Sequence, residues 1–206
     1  MTGDFLITKE FLKELSPCTD GYRWFCETYP DGGKYQEILD RLCELGRFDD
    51  ACWLLDKVGA TDDVLKLTSI DDKERSICFA GDVVVKENLV LKNIKAGRSI
   101  EAGRSIEAGG FIEAGRYIKA GWYIKAGRYI KAGRYIKAGW YIKAGRYIEA
   151  GEFIEAGEFI EAGSDYGVYA GLRVRIYDMK EIGYVKAQEK PENLMCGYWE
   201  GEGYEI

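Results

Sequence analysis

Histidine is absent from all 206 residues, which removes the commonest general base and the commonest catalytic metal ligand. Six cysteines stand at 18, 26, 43, 52, 78 and 196, and no two have C-x-x-C spacing. The sequence therefore shows neither the usual zinc half-site nor the usual redox pair, and ordinary buried thiols are expected. No run approaches the ~18 uninterrupted apolar residues of a membrane span. The opening MTGDFLITKEFLKEL carries charges inside its apolar stretch, so no leader or anchor is expected there. These absences point to a cytosolic, soluble chain with no metal, no cofactor and no membrane contact, for which most catalytic templates fail.

Hydrophobic residues make up 47% of the chain, enough to bury a real core. Their distribution is dominated by one repeat. From Ile94 the pattern I-(K/E)-A-G-x-(Y/F/S) recurs every six residues, placing isoleucine at 94, 100, 106, 112, 118, 124, 130, 136, 142, 148, 154 and 160. A helix cannot use this period, because six residues turn it by about 600° and scatter the isoleucines around the axis. A glycine in every hexad also opposes helix, at about 1 kcal/mol each. As strand, Ile and the Ala two places later share one face, while the preceding aromatic and the following Lys or Glu share the other. Glycine is then expected at the corner, where it adopts positive φ without penalty. Three short sides close one coil, and the twelve hexads stack into four coils about 19 Å tall at the ~4.8 Å strand spacing. Residues 18 apart should lie above one another, and Trp122 and Trp140 have that separation.

This pattern resembles the hexapeptide-repeat parallel β-helix family, in which an inward aliphatic residue is paired with an inward small one and glycine-type residues mark the corner. The match is to architecture and covers residues 94–163. Here the order is shifted, since Ala96, Ala102 and their equivalents directly precede the corner glycine. The resemblance implies a left-handed coil, association of parallel prisms as trimers, and, for many members, acyl transfer by a histidine between subunits. A chain without histidine cannot use that mechanism, and the expectation is a protein that is not an enzyme.

The flanks differ from the repeat. Residues 71–93, with VVVKENLVLKN, read as an irregular lead-in coil, and residues 164–187, with VYAG, VRIY and YVKA, as an irregular terminal coil. Residues 188–206 form an acidic, aromatic tail, expected either to cap the last coil or to extend as an arm. Residues 1–70 carry helix-like apolar spacing separated by SPCTDG, PDGG and LGR. This helical module is expected to form a core from Trp24, Phe25, Trp53 and Leu54 and to cap the first coil, or else to serve as a partner-binding arm. Its C-T-D-G-Y-R-W-F…Y-P-D-G string resembles short helical segments of phage and prophage proteins of unknown function. The fold class expected is α+β, a small N-terminal helical module followed by a three-sided parallel β-helix.

The outward positions of the central coils are basic and aromatic. Residues 116–146 hold nine Lys or Arg and no acid, whereas 149–161 hold five Glu and no base. Stacked cations, such as Arg98, Arg116 and Arg134, repel by about 0.8 kcal/mol per pair at ~5 Å in water, so something must offset them. Flanking glutamates and aromatic ladders are one explanation. Recognition is the other, with Tyr117, Tyr123, Tyr135, Tyr141, Lys119, Lys137, Trp122, Trp140 and the arginine column as the candidate partner-binding residues. Such a surface suits an acidic protein patch, or a nucleic acid or nucleotide. The functional expectation is a non-catalytic interaction protein, in particular a phage or mobile-element inhibitor of a bacterial defence complex such as a CRISPR effector or restriction enzyme. The alternative is an oligomeric sponge that binds nucleotides or nucleic acid on its basic aromatic face.

Overall fold

The structure, a computed structural model, describes residues 2–201. It begins with four helices, α1 (Lys9–Glu14), α2 (Thr19–Thr28), α3 (Tyr35–Glu44) and α4 (Phe48–Val58). Thr8 starts α1 by accepting the Phe11 amide on its hydroxyl at 3.2 Å, which satisfies one of the free N–H groups of a helix start. In α3 the residues Tyr35, Ile38, Leu39 and Leu42 are buried, and in α4 Phe48, Ala51, Leu54 and Leu55. The first set has i, i+3, i+4, i+7 spacing and the second i, i+3, i+6, i+7 spacing, each a single apolar stripe. Gly59, at φ 93°, ends α4. No helix among the described residues is long and apolar enough to cross a membrane.

From Val64 onward the chain winds as a parallel β-solenoid. Its first face stacks eight strands, from Val64–Leu67 and Asp82–Val85 through the hexads to Tyr184–Lys186 and Tyr198–Trp199, which makes about eight turns. The second and third faces are joined at the start by two long strands, Ile70–Phe79 and Leu89–Ala96, which run round the corner between them. Wherever one hexad strand pairs with another, the partners are 18 residues apart, as in Ile118↔Ile100 and Ile118↔Ile136. The column prediction therefore holds, and the interior is the expected stack of Ile and Ala, at most 7% exposed in the hexads. The first strand, Val64–Leu67, lies inside the segment read as helical, so the solenoid starts before residue 71. Only Leu65 and Leu67 point inward there, too few to register as an alternation.

Glycine marks the corners for a different reason from the one expected. Among the described residues the glycines with positive φ are 32, 46, 59, 171 and 197, all outside the hexads. Instead, a Cβ built on Gly115, Gly121, Gly127, Gly133 or Gly139 would overlap the carbonyl oxygen of the glycine one coil earlier. The corner backbones approach so closely because they bond to one another, Gly115 N to Ala96 O at 3.1 Å and Arg116 N to Arg98 O at 2.8 Å. Space between coils, and not handedness of the backbone, selects glycine.

The ends also depart from expectation. Val168–Tyr169 and Tyr184–Lys186 are strands, but VRIY is not; Ile176–Asp178 forms a 3-10 turn followed by a short helix at Met179–Ile182. The acidic tail contributes strands Leu194–Cys196 and Tyr198–Trp199 to the third and first faces, so up to residue 201 it is part of the solenoid. Its last five residues lie outside the described residues. The helical module packs on the outer flank of the third face and not over the open end. Its core includes Cys78, Ala80 and Phe111, Gln36 accepts the Ala80 amide at 2.9 Å and donates to Cys78 O at 3.1 Å, and Phe48 lies 5.5 Å from Phe111. Leu65, Leu67 and Ile70, which point into the first coil, are only partly buried. Phe25 and Leu54 are core residues as expected, whereas Trp24 and Trp53 are half-buried. The cysteines are also less buried than expected: Cys78 is enclosed, four are intermediate and Cys18 is exposed.

Candidate interaction surface

Because the hexads repeat with identical backbone geometry, side chains at the same hexad position stack in the same orientation. Three aromatic ladders result. On the first face Tyr117, Tyr135, Phe153 and Tyr184 stack at 4.8–4.9 Å with planes within 4°. The second face carries Tyr123, Tyr141 and Phe159 at 4.9–5.1 Å, and the third Phe111, Tyr129 and Tyr147 at 4.7–4.9 Å. Each interior ring thus has both faces covered by its neighbours, and only its edge meets solvent. Stacking of this kind contributes about 0.5–1.5 kcal/mol per pair beyond area burial.

The charges between the ladders are arranged along the same columns. The first face reads Glu101, Lys119, Lys137, Glu155, with Lys137 bound to Glu155 at 2.8 Å. On the second face Lys125 meets Glu107 at 3.7 Å and Lys143 meets Glu161 at 2.8 Å. The third face alternates signs, with Lys131 on Glu149 at 2.9 Å and Lys95 on Glu113 at 3.1 Å and on Asp56 of α4 at 2.7 Å. The acidic coils above and below the basic pair therefore supply the counter-charges that the sequence reading required. Most of these pairs are half-exposed, so each adds little to stability. Lys95 is the exception in burial: desolvation works to lower its pKa, but Asp56 and Glu113 outweigh it and raise the value.

The top tyrosine of each ladder is tied to the coil before it. Tyr117 donates to Glu101 at 2.7 Å, Tyr129 to Glu113 at 3.3 Å and Tyr123 to Glu107 at 3.5 Å. The Glu101 carboxylate, with burial, raises the Tyr117 pKa, while burial raises those of Tyr129, Tyr135, Tyr141 and Tyr147. A phenol whose pKa is higher in the fold than its ordinary value near 10 keeps its proton longer folded than unfolded. The stability this represents is complete below pH ~10 and is lost as pH rises through the folded values. In an alkaline titration, phenolate absorbance is expected to lag that of free tyrosine and then rise together with loss of circular dichroism. Full ionisation before any loss of structure would contradict this.

All the residues singled out in the sequence gather around the first face. Arg98, Arg116 and Arg134 line the corner that leads into it, Tyr117, Tyr135, Lys119 and Lys137 lie on it, and Trp122 and Trp140 line the corner that leaves it, with Tyr123 and Tyr141 just beyond. Several are already engaged. Arg98 is bound to Asp62 at 2.5 Å and Asp82 at 3.3 Å, and Arg134 to Glu152 at 2.8 Å. Arg116 and Lys119 form no ion pair among the described residues. The two indoles stack at 5.3 Å within 3° and remain 39% and 46% exposed. Arg104, one coil earlier in the same column, lies 5.3 Å over the Trp122 ring, and Glu158 occupies the column one coil after Trp140. Both neighbours were missed, although the same 18-residue offset that aligned the tryptophans points to them.

Residues 1–61 match the family model of the YdhT N-terminal domain. The match ends just before the first solenoid strand at Val64, so the likeness is to the helical module alone. Comparison with curated proteins and with solved structures gave no match. The YdhT-like module and the solenoid meet through Gln36, Phe48 and Asp56, which sets the module beside coils one to three and leaves the tryptophan corner clear of it.

Proposed function

We propose that the protein is a non-catalytic binding scaffold that docks a protein partner on its first face, anchored by the Trp122–Trp140 corner. The observation that carries this reading is the pair of stacked, part-exposed indoles on a corner fixed by backbone bonds, Trp140 N to Trp122 O at 2.7 Å. Large rings held rigid before binding lose little entropy on contact, and tryptophan is enriched among residues that dominate interfaces. A protein is favoured over a nucleic acid because the tyrosine ladders cover their own ring faces, which removes the platforms on which bases stack. Arg116 and Lys119 supply positive charge for a partner with acidic groups beside its apolar patch. The partner class to test first is a bacterial defence complex such as a CRISPR effector or restriction enzyme, the target suggested by the phage-like helical string.

Replacing both Trp122 and Trp140 with Ala is expected to weaken partner binding by about thirty-fold or more, the size of a loss of at least 2 kcal/mol at an interface anchor. The melting temperature should stay within a few degrees, since both rings are outside the core. Titration calorimetry and thermal unfolding on the same preparations separate the two effects. A large stability loss with unchanged affinity would assign the pair to the fold alone.

A further inference from the structure

Between the strands Val168–Tyr169 and Tyr184–Lys186 the chain leaves the solenoid as a loop. Its neck is narrow: Gly171, at φ 75°, and Gly183 lie against each other, with the Met179 side chain packed on both. The base is fastened to the coil beneath by Gly171 N to Glu152 O at 2.6 Å and Arg173 N to Gly151 O at 2.9 Å. This is a compact loop with joined ends, of the kind that often carries function. Its tip is apolar and bare, with Ile176 92% and Tyr177 74% exposed.

The same chain contains an apolar recess of matching size. In the YdhT-like module, Trp24, Trp53, Leu12, Phe25, Ile38 and Leu42 line a cavity of about 210 Å³. A dry apolar cavity of about 150 Å³ accepts a benzene ring, so this one accommodates a phenol ring with some aliphatic carbon beside it. The polar groups at its mouth satisfy one another: Arg47 binds Asp50 at 2.6 Å and Asp20 at 2.9 Å and lies 5.2 Å over the Trp24 ring. The interior therefore favours an apolar occupant.

We infer that the protein associates head to tail, with Ile176 and Tyr177 of one copy seated in the helical-module cavity of the next. Charge favours the pairing. Residues 1–61 contain twelve acids and seven bases, while the loop presents Arg173, Arg175 and Lys180 against Asp178 and Glu181. In a single copy Arg175 donates to the Tyr177 hydroxyl at 2.6 Å; seating the ring releases that guanidinium at the mouth, where Asp20 is largely exposed. Within one copy the loop is about four coils, roughly 20 Å, from the coils beside the module. The loop emerges where the third face passes into the first, and the module lies on the third; because eight turns span about 38 Å, the next copy is displaced sideways as well as along the solenoid axis. The two surfaces differ, so the contact is heterologous and builds chains or rings instead of closed two-fold dimers. It does not use the tryptophan corner, and its failure would leave that reading standing.

The test is sedimentation of the full chain over a range of concentrations, with Ile176→Asp/Tyr177→Ser as the comparison and a photo-crosslinking benzoylphenylalanine at position 177 to map the contact. The wild type is expected to gain mass with concentration, the double variant to associate about thirty-fold or more weakly, and the crosslinks to fall within α2 to α4. Because the tip is exposed, the variant should melt like the wild type. A wild type that stays monomeric, an unchanged variant, or crosslinks outside the helical module would each overturn the inference.

Discussion

Gly139→Ala is expected to destabilise the protein by about 3 kcal/mol, at or above the top of the usual range for overpacking. The added methyl would overlap Gly121 O, a backbone atom held by the ladder bonds of its own coil, so no flexible side chain can give way. Relief requires two coils to move apart, which strains the bonds that join them. At about 2–4 °C per kcal/mol for a chain of this size, the melting temperature should fall by roughly 6–12 °C. Gly109→Ala is the control. The nearest atom to a new Cβ there is Lys92 O at 3.9 Å, and its φ is not positive, so the methyl fits. There the restriction of the unfolded chain should leave stability unchanged or raise it by about 0.4–1 kcal/mol. Equal losses at the two sites would mean that glycine serves conformational freedom and not coil spacing.

Ile130→Ala should be comparably severe. Ile130 has no exposed surface and is stacked between Ile112 and Ile148 in an interior column. Removing a buried aliphatic side chain costs about 2–5 kcal/mol, more where the surroundings cannot collapse. Here each neighbour is fixed by strand pairs above and below, so the upper half of that range is expected. Ile160→Ala should cost less, because Ile160 lies in the last strand of the second face and has a paired strand on one side only. Denaturant unfolding of the two variants measures the difference, and a smaller loss at 130 than at 160 would contradict the close-packed column.

Those positions show why some of the structure was legible in the sequence. A hexad with Ile and Ala two residues apart has one satisfactory burial, and the 18-residue offset follows from three hexads per coil, so the columns through Ile118 and Trp122 could be written down directly. The ion pairs of Lys137 with Glu155 and Lys143 with Glu161 follow from the same offset. Legibility failed where the period breaks. Ile70–Phe79 and Leu89–Ala96 pass through a corner without the hexad glycine, and Val64–Leu67 is too short to display alternation. The VRIY segment has a strand-like composition, yet Gly171 and Gly183 close it into a loop. The location of the helical module depended on Cys78, Phe111 and Lys95, outward residues whose burial comes only from tertiary contact with α3 and α4. The cavity between Trp24 and Trp53 had no sequence signal distinct from that of a helical core.

The most direct test of the binding-scaffold reading is a tagged pull-down from bacterial lysate with nuclease present, run in parallel for the wild type and the Trp122→Ala/Trp140→Ala variant. The expected result is a protein partner retained at near-stoichiometric yield by the wild type, resistant to nuclease and depleted in the variant lane. Retention of nucleotide or nucleic acid alone, or a partner held equally by both, would contradict the assignment of the tryptophan corner as a protein-docking site.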